Sequence, residues 1–270
     1  MTCLWSVMVK IMNNNDLRKH QLIAFKALKE IDSIFKENGI TYFLLAGSLL
    51  GAIRHKGFIP WDDDIDIGIF QEDKEKAYAL LRRKMSDEFT WVDCDNTYNF
   101  PRFFGKVLHQ GKGCVDVFVL VKTSNHKIGR AIQWMRRKYY FKLYKGKINY
   151  ANKKEKSNII KRIIVKTFRF LSQFYSKNKI ININCKNEAK YNFLENNMFY
   201  LNIYSAYSLE KELIKSVWLE KNSLVTFENE EFPSLLDPHD YLQHLYGKDY
   251  MQPPKNIKAR QLRHDENFNT

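Results

Sequence analysis

Three hydrophobic periods follow one another along the chain. From Asp16 to Asn38 apolar residues recur at Leu17, Ile23, Ala27, Ile31 and Ile34. That spacing is the period of a helix with one buried face, with Asp16 placed to cap its start and Gly39 to end it. The short apolar run TYFLL at 41–45 predicts a strand, and 48–54 a short helix. Between Asp64 and Phe70 the period falls to two: Asp64 and Asp66 alternate with Ile65, Ile67 and Ile69. Strict alternation predicts a strand with both carboxylates on one face, their Cα atoms roughly 6.5 Å apart at a rise of ~3.3 Å per residue. A helix from about Glu72 to Met85 follows, then strands at 89–92 and 103–108 and the apolar run CVDVFVLV at 114–121. Residues 127–180 predict a basic helical insert, and 181–270 a mostly helical part in which Asp237 and Pro238 open a helix closed by Gly247. The expected fold class is α+β: a small mixed β-sheet flanked by helices, with residues 1–15 as a tail and 16–126 as the core.

Composition sharpens this picture in two places. With 270 residues, 44% of them hydrophobic, the chain has enough apolar material for a substantial core. Its net charge of +14 is concentrated: Lys127 to Lys179 holds twelve lysines and five arginines against Glu155 alone, so the remainder is slightly acidic. Within that segment IIKRIIVKTFRFLSQFY (159–175) sets apolar residues at helical spacing with Lys161, Arg162, Lys166 and Arg169 largely between them. Such a basic amphipathic helix suits an anionic membrane surface, or packs its stripe on the core with the lysines in water. Clustered cations with aromatics also suit nucleic acid, but no recognisable RNA or DNA module accompanies them, and no nucleic-acid partner is expected. Cys3, Cys94, Cys114 and Cys185 show no metal-type spacing and predict reduced thiols. The opening MTCLWSVMVKIM lacks a signal-peptide pattern, and no apolar run reaches the ~18 residues that span a bilayer. A cytoplasmic protein is expected, in solution or peripheral on the inner face of the membrane.

The chemistry is concentrated between Ala46 and Ile69. Gly47 and Ser48 follow an apolar strand and open a helix, whose first-turn amides suit phosphate oxygens. Arg54, His55 and Lys56 come next, then Asp62, Asp63, Asp64 and Asp66. Carboxylates held this close on a rigid strand repel one another unless a cation lies between them. A hard divalent ion such as Mg²⁺, with Mn²⁺ as the alternative, prefers such oxygens together with substrate phosphate. Asp116 is the acid of an otherwise apolar strand, and burying it alone would cost several kcal/mol. It is expected as a third ligand beside Asp64 and Asp66; pairing with Lys106 or Arg102 at a sheet edge is the competing reading.

The run GSLLGAIRHKGFIPWDDDIDIGI (47–69) closely resembles the signature of the LicD/fukutin family of phosphotransferases. VDVF at 115–118, FENEEFP at 227–233 and LYGKDYMQPP at 245–254 are similar to further family segments, in the expected order. Two departures stand out: Val119-Leu120-Val121 replaces the usual Pro-Leu-Asp after VDVF, and the stretch from Lys106 to Asp116 is short.

The resemblance implies a nucleotidyltransferase-like core that moves a substituted phosphate, such as phosphocholine or glycerol or ribitol phosphate, from a CDP-activated donor to a glycan or lipid-linked glycan hydroxyl. Asp64, Asp66 and Asp116 would hold one or two Mg²⁺. Gly47, Ser48, Arg54, His55, Lys56 and Lys106 would serve the donor phosphates, and Asp116, Asp62 or His55 would take the hydroxyl proton. Two other functions share parts of the pattern: nucleotidyl transfer from a triphosphate, and a non-catalytic surface-binding role led by the basic segment.

Overall fold

The computed structural model describes residues 14–148, 159–221 and 223–253. Helix α1 (Asn14–Glu37) buries Ala24, Ala27, Leu28, Ile31 and Phe35 completely, so the helical period at the start of the chain does face the core. Asp16 lies in its first turn, within the helix rather than at a cap.

The core sheet is built around two parallel strands, β2 (Ile65–Phe70) and β5 (Lys112–Lys122). β1 (Tyr42–Leu44) runs antiparallel to β2 on one side. On the other side of β5 lie β4 (Gly105–His109) and, beyond it, β3 (Thr90–Val92), both antiparallel to their neighbours. Helix α2 (Ala46–His55) connects β1 to β2, and α3 (Lys74–Lys84) begins the crossover from β2 to β5. A parallel pair needs such a crossover because a tight turn can only reverse the chain. Val115, Val117, Val119 and Leu120 of β5 are fully buried, as expected of a strand covered on both faces.

The C-terminal half departs from the helical expectation. After α4 (Lys127–Lys147), α5 (Ile159–Ser172) and α6 (Lys177–Glu188) come four strands of three to five residues. β6 (Phe199–Asn202) pairs with the far end of β5, and β7 (Leu213–Lys215) with β6. Among the described residues the sheet therefore has seven strands and is larger than expected. β8 (Ser223–Phe227) and β9 (Glu230–Ser234) form a separate hairpin. Its two-residue turn, Glu228-Asn229, has positive φ at both positions, the geometry that matches strand twist. Strands this short show too few alternations to be told from helix by period alone. Helix α7 (Pro238–Tyr246) is capped as anticipated: Asp237 accepts from the Asp240 N–H at 2.9 Å, and Gly247 with φ 99° ends it.

Helix α4 is not an appendage. It buries Trp134, Leu143 and Tyr144, and Phe103 packs on both Phe141 and Tyr144. Apolar residues of α4 thus pack on the core, whereas the first part of the 159–175 stripe, residues 159–167 of α5, is exposed.

After α2 the chain passes through Lys56, in the left-handed region at φ 59°, and returns along the same helix before entering β2. The close pass explains the glycine spacing. A Cβ at Gly51 would lie 2.4 Å from the Gly57 carbonyl oxygen and 3.3 Å from the Ile59 nitrogen, both backbone atoms. Gly47, four residues earlier on the same helix face, meets the other end of the returning loop. Gly51→Ala is expected to force the loop outward and cost about 1–3 kcal/mol; urea unfolding of the variant measures it.

Candidate active site

The acid cluster is assembled by sheet register. Asp66 of β2 is the direct partner of Asp116 on β5, and Asp116 is the direct partner of Lys106 on β4. The three side chains therefore form one row across three strands, on a single face of the sheet. Asp64, just before β2, joins from the side. Ligand oxygens of Asp64, Asp66 and Asp116 all lie within 4.8 Å of one another, as do those of Asp62, Asp63 and Asp64. A set of three carboxylates at this spacing suits a hard divalent ion that takes oxygen ligands.

Burial and mutual repulsion act together on the carboxylates of the cluster. Burial pushes the Asp66 carboxyl well above the usual carboxylate range, and the negative charges of Asp64, Asp116 and Asp62 push it further. Burial also raises Asp116, to about 6, against the pull of the Lys106 ammonium. Lys106 Nζ stands 2.6 Å from Asp116 Oδ1. Burial alone would lower the lysine, but Asp116 and Asp64 hold it above its ordinary value. Both pairings considered for Asp116 are thus present together: it is bound to Lys106 and grouped with the other acids, on a central strand rather than an edge.

The turn from β1 into α2 is locked to the acid strand. The Leu45 N–H donates to the Asp66 carbonyl at 3.0 Å, and the Asp66 N–H donates to Ser48 Oγ at 2.7 Å. Ala46 has a φ of 42°, a left-handed conformation that costs an L-residue about 1–2 kcal/mol. Its N–H donates to the Tyr241 hydroxyl of α7 at 3.4 Å. The corner sets the first turn of α2 beside Asp66 and Asp62. Asp62 Oδ2 sits so close to Gly47 that a Cβ there would lie 2.8 Å away.

Comparison with known proteins fits this geometry. Residues 39–152 match the family described as LicD/FKTN/FKRP, nucleotidyltransferase domain. This segment is similar to a LicD/FKTN/FKRP nucleotidyltransferase domain. The lipopolysaccharide cholinephosphotransferase LicD of Haemophilus influenzae is 24% identical over 256 residues, 90% of this chain and 94% of that protein. An uncharacterized protein of Rickettsia prowazekii is 34% identical over 107 residues, 40% of this chain but only 36% of its own length. The human ribitol 5-phosphate transferase FKRP is 46% identical over 52 residues, 18% of this chain and 10% of that protein.

Within the matched segment, residues 39–152, the anticipated residues separate into two groups. Gly47, Ser48, Asp62, Asp64, Asp66, Lys106 and Asp116 gather at one end of α2. Arg54, His55 and Lys56 lie at its other end, about 10 Å along the axis at 1.5 Å per residue. There Arg54 donates to the Tyr250 carbonyl at 3.0 Å and to His55 Nε2 at 2.9 Å. Burial and the Arg54 charge both lower the His55 pKa, which keeps the imidazole neutral near pH 7. The basic triplet therefore joins α2 to the chain after α7 and stands apart from the acids. Tyr246, in the segment LYGKDYMQPP, is close enough for Asp66 and Asp62 to bear on its hydroxyl. Of the Pro253-Pro254 pair, Pro254 lies outside the described residues.

Three positioning residues have no local signal in the sequence. Gln21 of α1 donates to the carbonyls of Asp62 (2.8 Å) and Ile59 (3.3 Å). Glu228, in the β8–β9 turn, accepts from the Phe58 N–H at 3.2 Å and from Arg18 at 3.0 and 2.6 Å. Tyr241 reaches Ala46 from α7. Each is remote in sequence from what it holds, and only a cluster of positions already known to touch would have revealed them. Gln21→Leu leaves two loop carbonyls without their donor and is expected to cost about 1–3 kcal/mol. Thermal unfolding of that variant, beside amide exchange at 57–64, measures both the loss and its location.

Proposed function

We propose that this protein is a Mg²⁺-dependent phosphotransferase that moves a substituted phosphate from a CDP-activated donor to a hydroxyl of a cell-surface glycan or its lipid-linked precursor, releasing CMP. The observation that carries the reading is the Asp64–Asp66–Asp116 triad, its oxygens within 4.8 Å of one another, beside the first turn of α2. The near full-length similarity to a cholinephosphotransferase supports phosphocholine as the group transferred, and the match to a ribitol 5-phosphate transferase supports the broader class. Among the described residues no helix is long and apolar enough to cross a membrane, and we place the reaction in the cytoplasm, on or near the inner leaflet.

In this mechanism Asp64, Asp66 and Asp116 would hold the divalent ion, which would supply charge neutralisation at the donor phosphates. The first-turn N–H groups of α2 at Gly47 and Ser48 would donate to phosphate oxygens, while the Ser48 hydroxyl accepts from the Asp66 N–H and keeps that strand in register. Lys106 limits the negative charge of the row through Asp116. The acceptor oxygen forms a bond to the phosphorus distal to the nucleoside, the bond from that phosphorus to the bridging oxygen breaks, and CMP leaves with the bonding pair. Asp62, outside the triad and against Gly47, is placed to take the hydroxyl proton.

The test is release of CMP and of pyrophosphate from CDP-choline, CDP-glycerol, CDP-ribitol, CTP and ATP with Mg²⁺ and glycan acceptors. CMP from one CDP-alcohol names the transferred group. Pyrophosphate from a triphosphate overturns the reading in favour of nucleotidyl transfer.

A further inference from the structure

We propose that α5, with the turn that follows it, is a membrane-docking element that inserts its exposed apolar side chains into an anionic lipid surface. Ile159, Ile160, Ile163, Phe170 and Phe174 are each more than half exposed, an unusual cost for a run of large apolar side chains in water. Ile159, Ile160, Ile163 and Phe170 occupy one broad arc of the helix and Phe174 lies just past its end, while Lys161, Arg162, Lys166 and Arg169 occupy the other side, all exposed. This is the division of an interfacial helix lying in the membrane plane.

The fold fixes this exposure. Gly146 of α4 lets α5 approach so closely that a Cβ there would lie 2.7 Å from the Phe168 carbonyl oxygen. Phe168 packs edge-on against Tyr139 with ring centroids 5.5 Å apart, and Ser172 is buried. α5 is thus held by the end of its second half, and residues 159–167 are regular helix with every side chain exposed. On α4, Ile128 and Met135 are likewise exposed.

Charge selects the occupant. Neither Lys127–Lys147 nor Ile159–Asn187 contains a single acidic residue. A protein interface of this size would bury apolar groups with charge depleted at its centre. Here cations border the apolar face along its whole length, which suits lipid tails below and anionic headgroups beside them. The inference stands apart from the phosphotransfer reading, since nothing in it uses the acid cluster.

Flotation of the full chain with phosphatidylcholine vesicles, and with phosphatidylcholine–phosphatidylglycerol vesicles, tests it. Binding is expected to the anionic vesicles only and to weaken as salt rises. Ile163→Asp with Phe170→Asp is expected to reduce it at least about tenfold, and each of Lys161→Glu and Arg162→Glu by about fivefold or more. These positions are exposed, so circular dichroism and the melting temperature should stay at wild-type values. Equal binding to neutral vesicles, unchanged binding of the double variant, or no binding to either vesicle overturns the proposal. So does a concentration-dependent dimer in sedimentation that Ile163→Asp dissolves while vesicle binding is absent.

Discussion

Asp66→Asn is expected to abolish transfer and, at the same time, to make the metal-free protein more stable. The two effects share one origin. Asp66 is raised by burial and by the charges of Asp64, Asp116 and Asp62, so holding it ionised at neutral pH opposes folding. The amide has nearly the same shape and no charge, and relieving such a site typically returns about 1 kcal/mol, or 2–4 °C in melting temperature. Because the folded state binds the Asp66 proton more tightly than the unfolded chain, the penalty is absent below about pH 4, where both forms are protonated, and grows as pH rises. The stabilisation by Asn should follow the same course. Turnover should fall on the order of 10³-fold, the scale of losing a preorganised charge at a reacting phosphate. Melting curves at pH 4 and pH 7, beside a CMP-release assay, read both. A variant that melts below wild type at pH 7 in chelator would contradict the electrostatic account, and near-normal turnover would contradict the metal assignment.

The largest loss of stability is expected far from the acids, at Lys74. Its ammonium, at the start of α3, is buried and pairs with Glu188 of α6 at 2.9 Å. Glu188 in turn accepts from Asn184 and Tyr204. Burial raises Glu188, while Lys74 opposes that rise. Lys74→Met would strand a carboxylate that is fully buried, and breaking one side of such a pair costs about 3–5 kcal/mol. For a chain of this size that is about 10 °C or more in melting temperature. Adding Glu188→Leu should recover part of the loss, since the pair itself costs desolvation that apolar side chains avoid. A single-variant loss below about 1 kcal/mol would show that the network carries little of the fold.

Lys74 also illustrates where the sequence is opaque. Within QEDKEKAY it looks like any charged residue of a solvated helix start. Its burial depends on α6, more than a hundred residues later. The same applies to Gln21, Glu228 and Tyr241, whose roles arise only when remote elements meet. The acids were legible for the opposite reason. Period-two alternation about Asp64 and Asp66 is a local property of the backbone, and a lone Asp in CVDVFVLV is costly wherever that strand lies. What alternation could not show was register, and it is register that sets Asp66 opposite Asp116 and Asp116 opposite Lys106. Proximity in sequence overstates how close the basic triplet lies to the acids: helix α2 carries Arg54, His55 and Lys56 to the end opposite the Gly47-Ser48 turn. The C-terminal strands escaped notice because three to five residues give a period too little length.

The measurement that bears most directly on the acid cluster is a Mn²⁺ titration followed by electron paramagnetic resonance, with wild-type protein, Asp66→Asn and Asp116→Asn. Wild type is expected to remove one or two ions per chain from the free-ion signal and to release them to excess Mg²⁺. Both variants, still folded, should leave that signal close to that of buffer. Depletion by the variants equal to that by wild type would place the metal elsewhere and contradict the account.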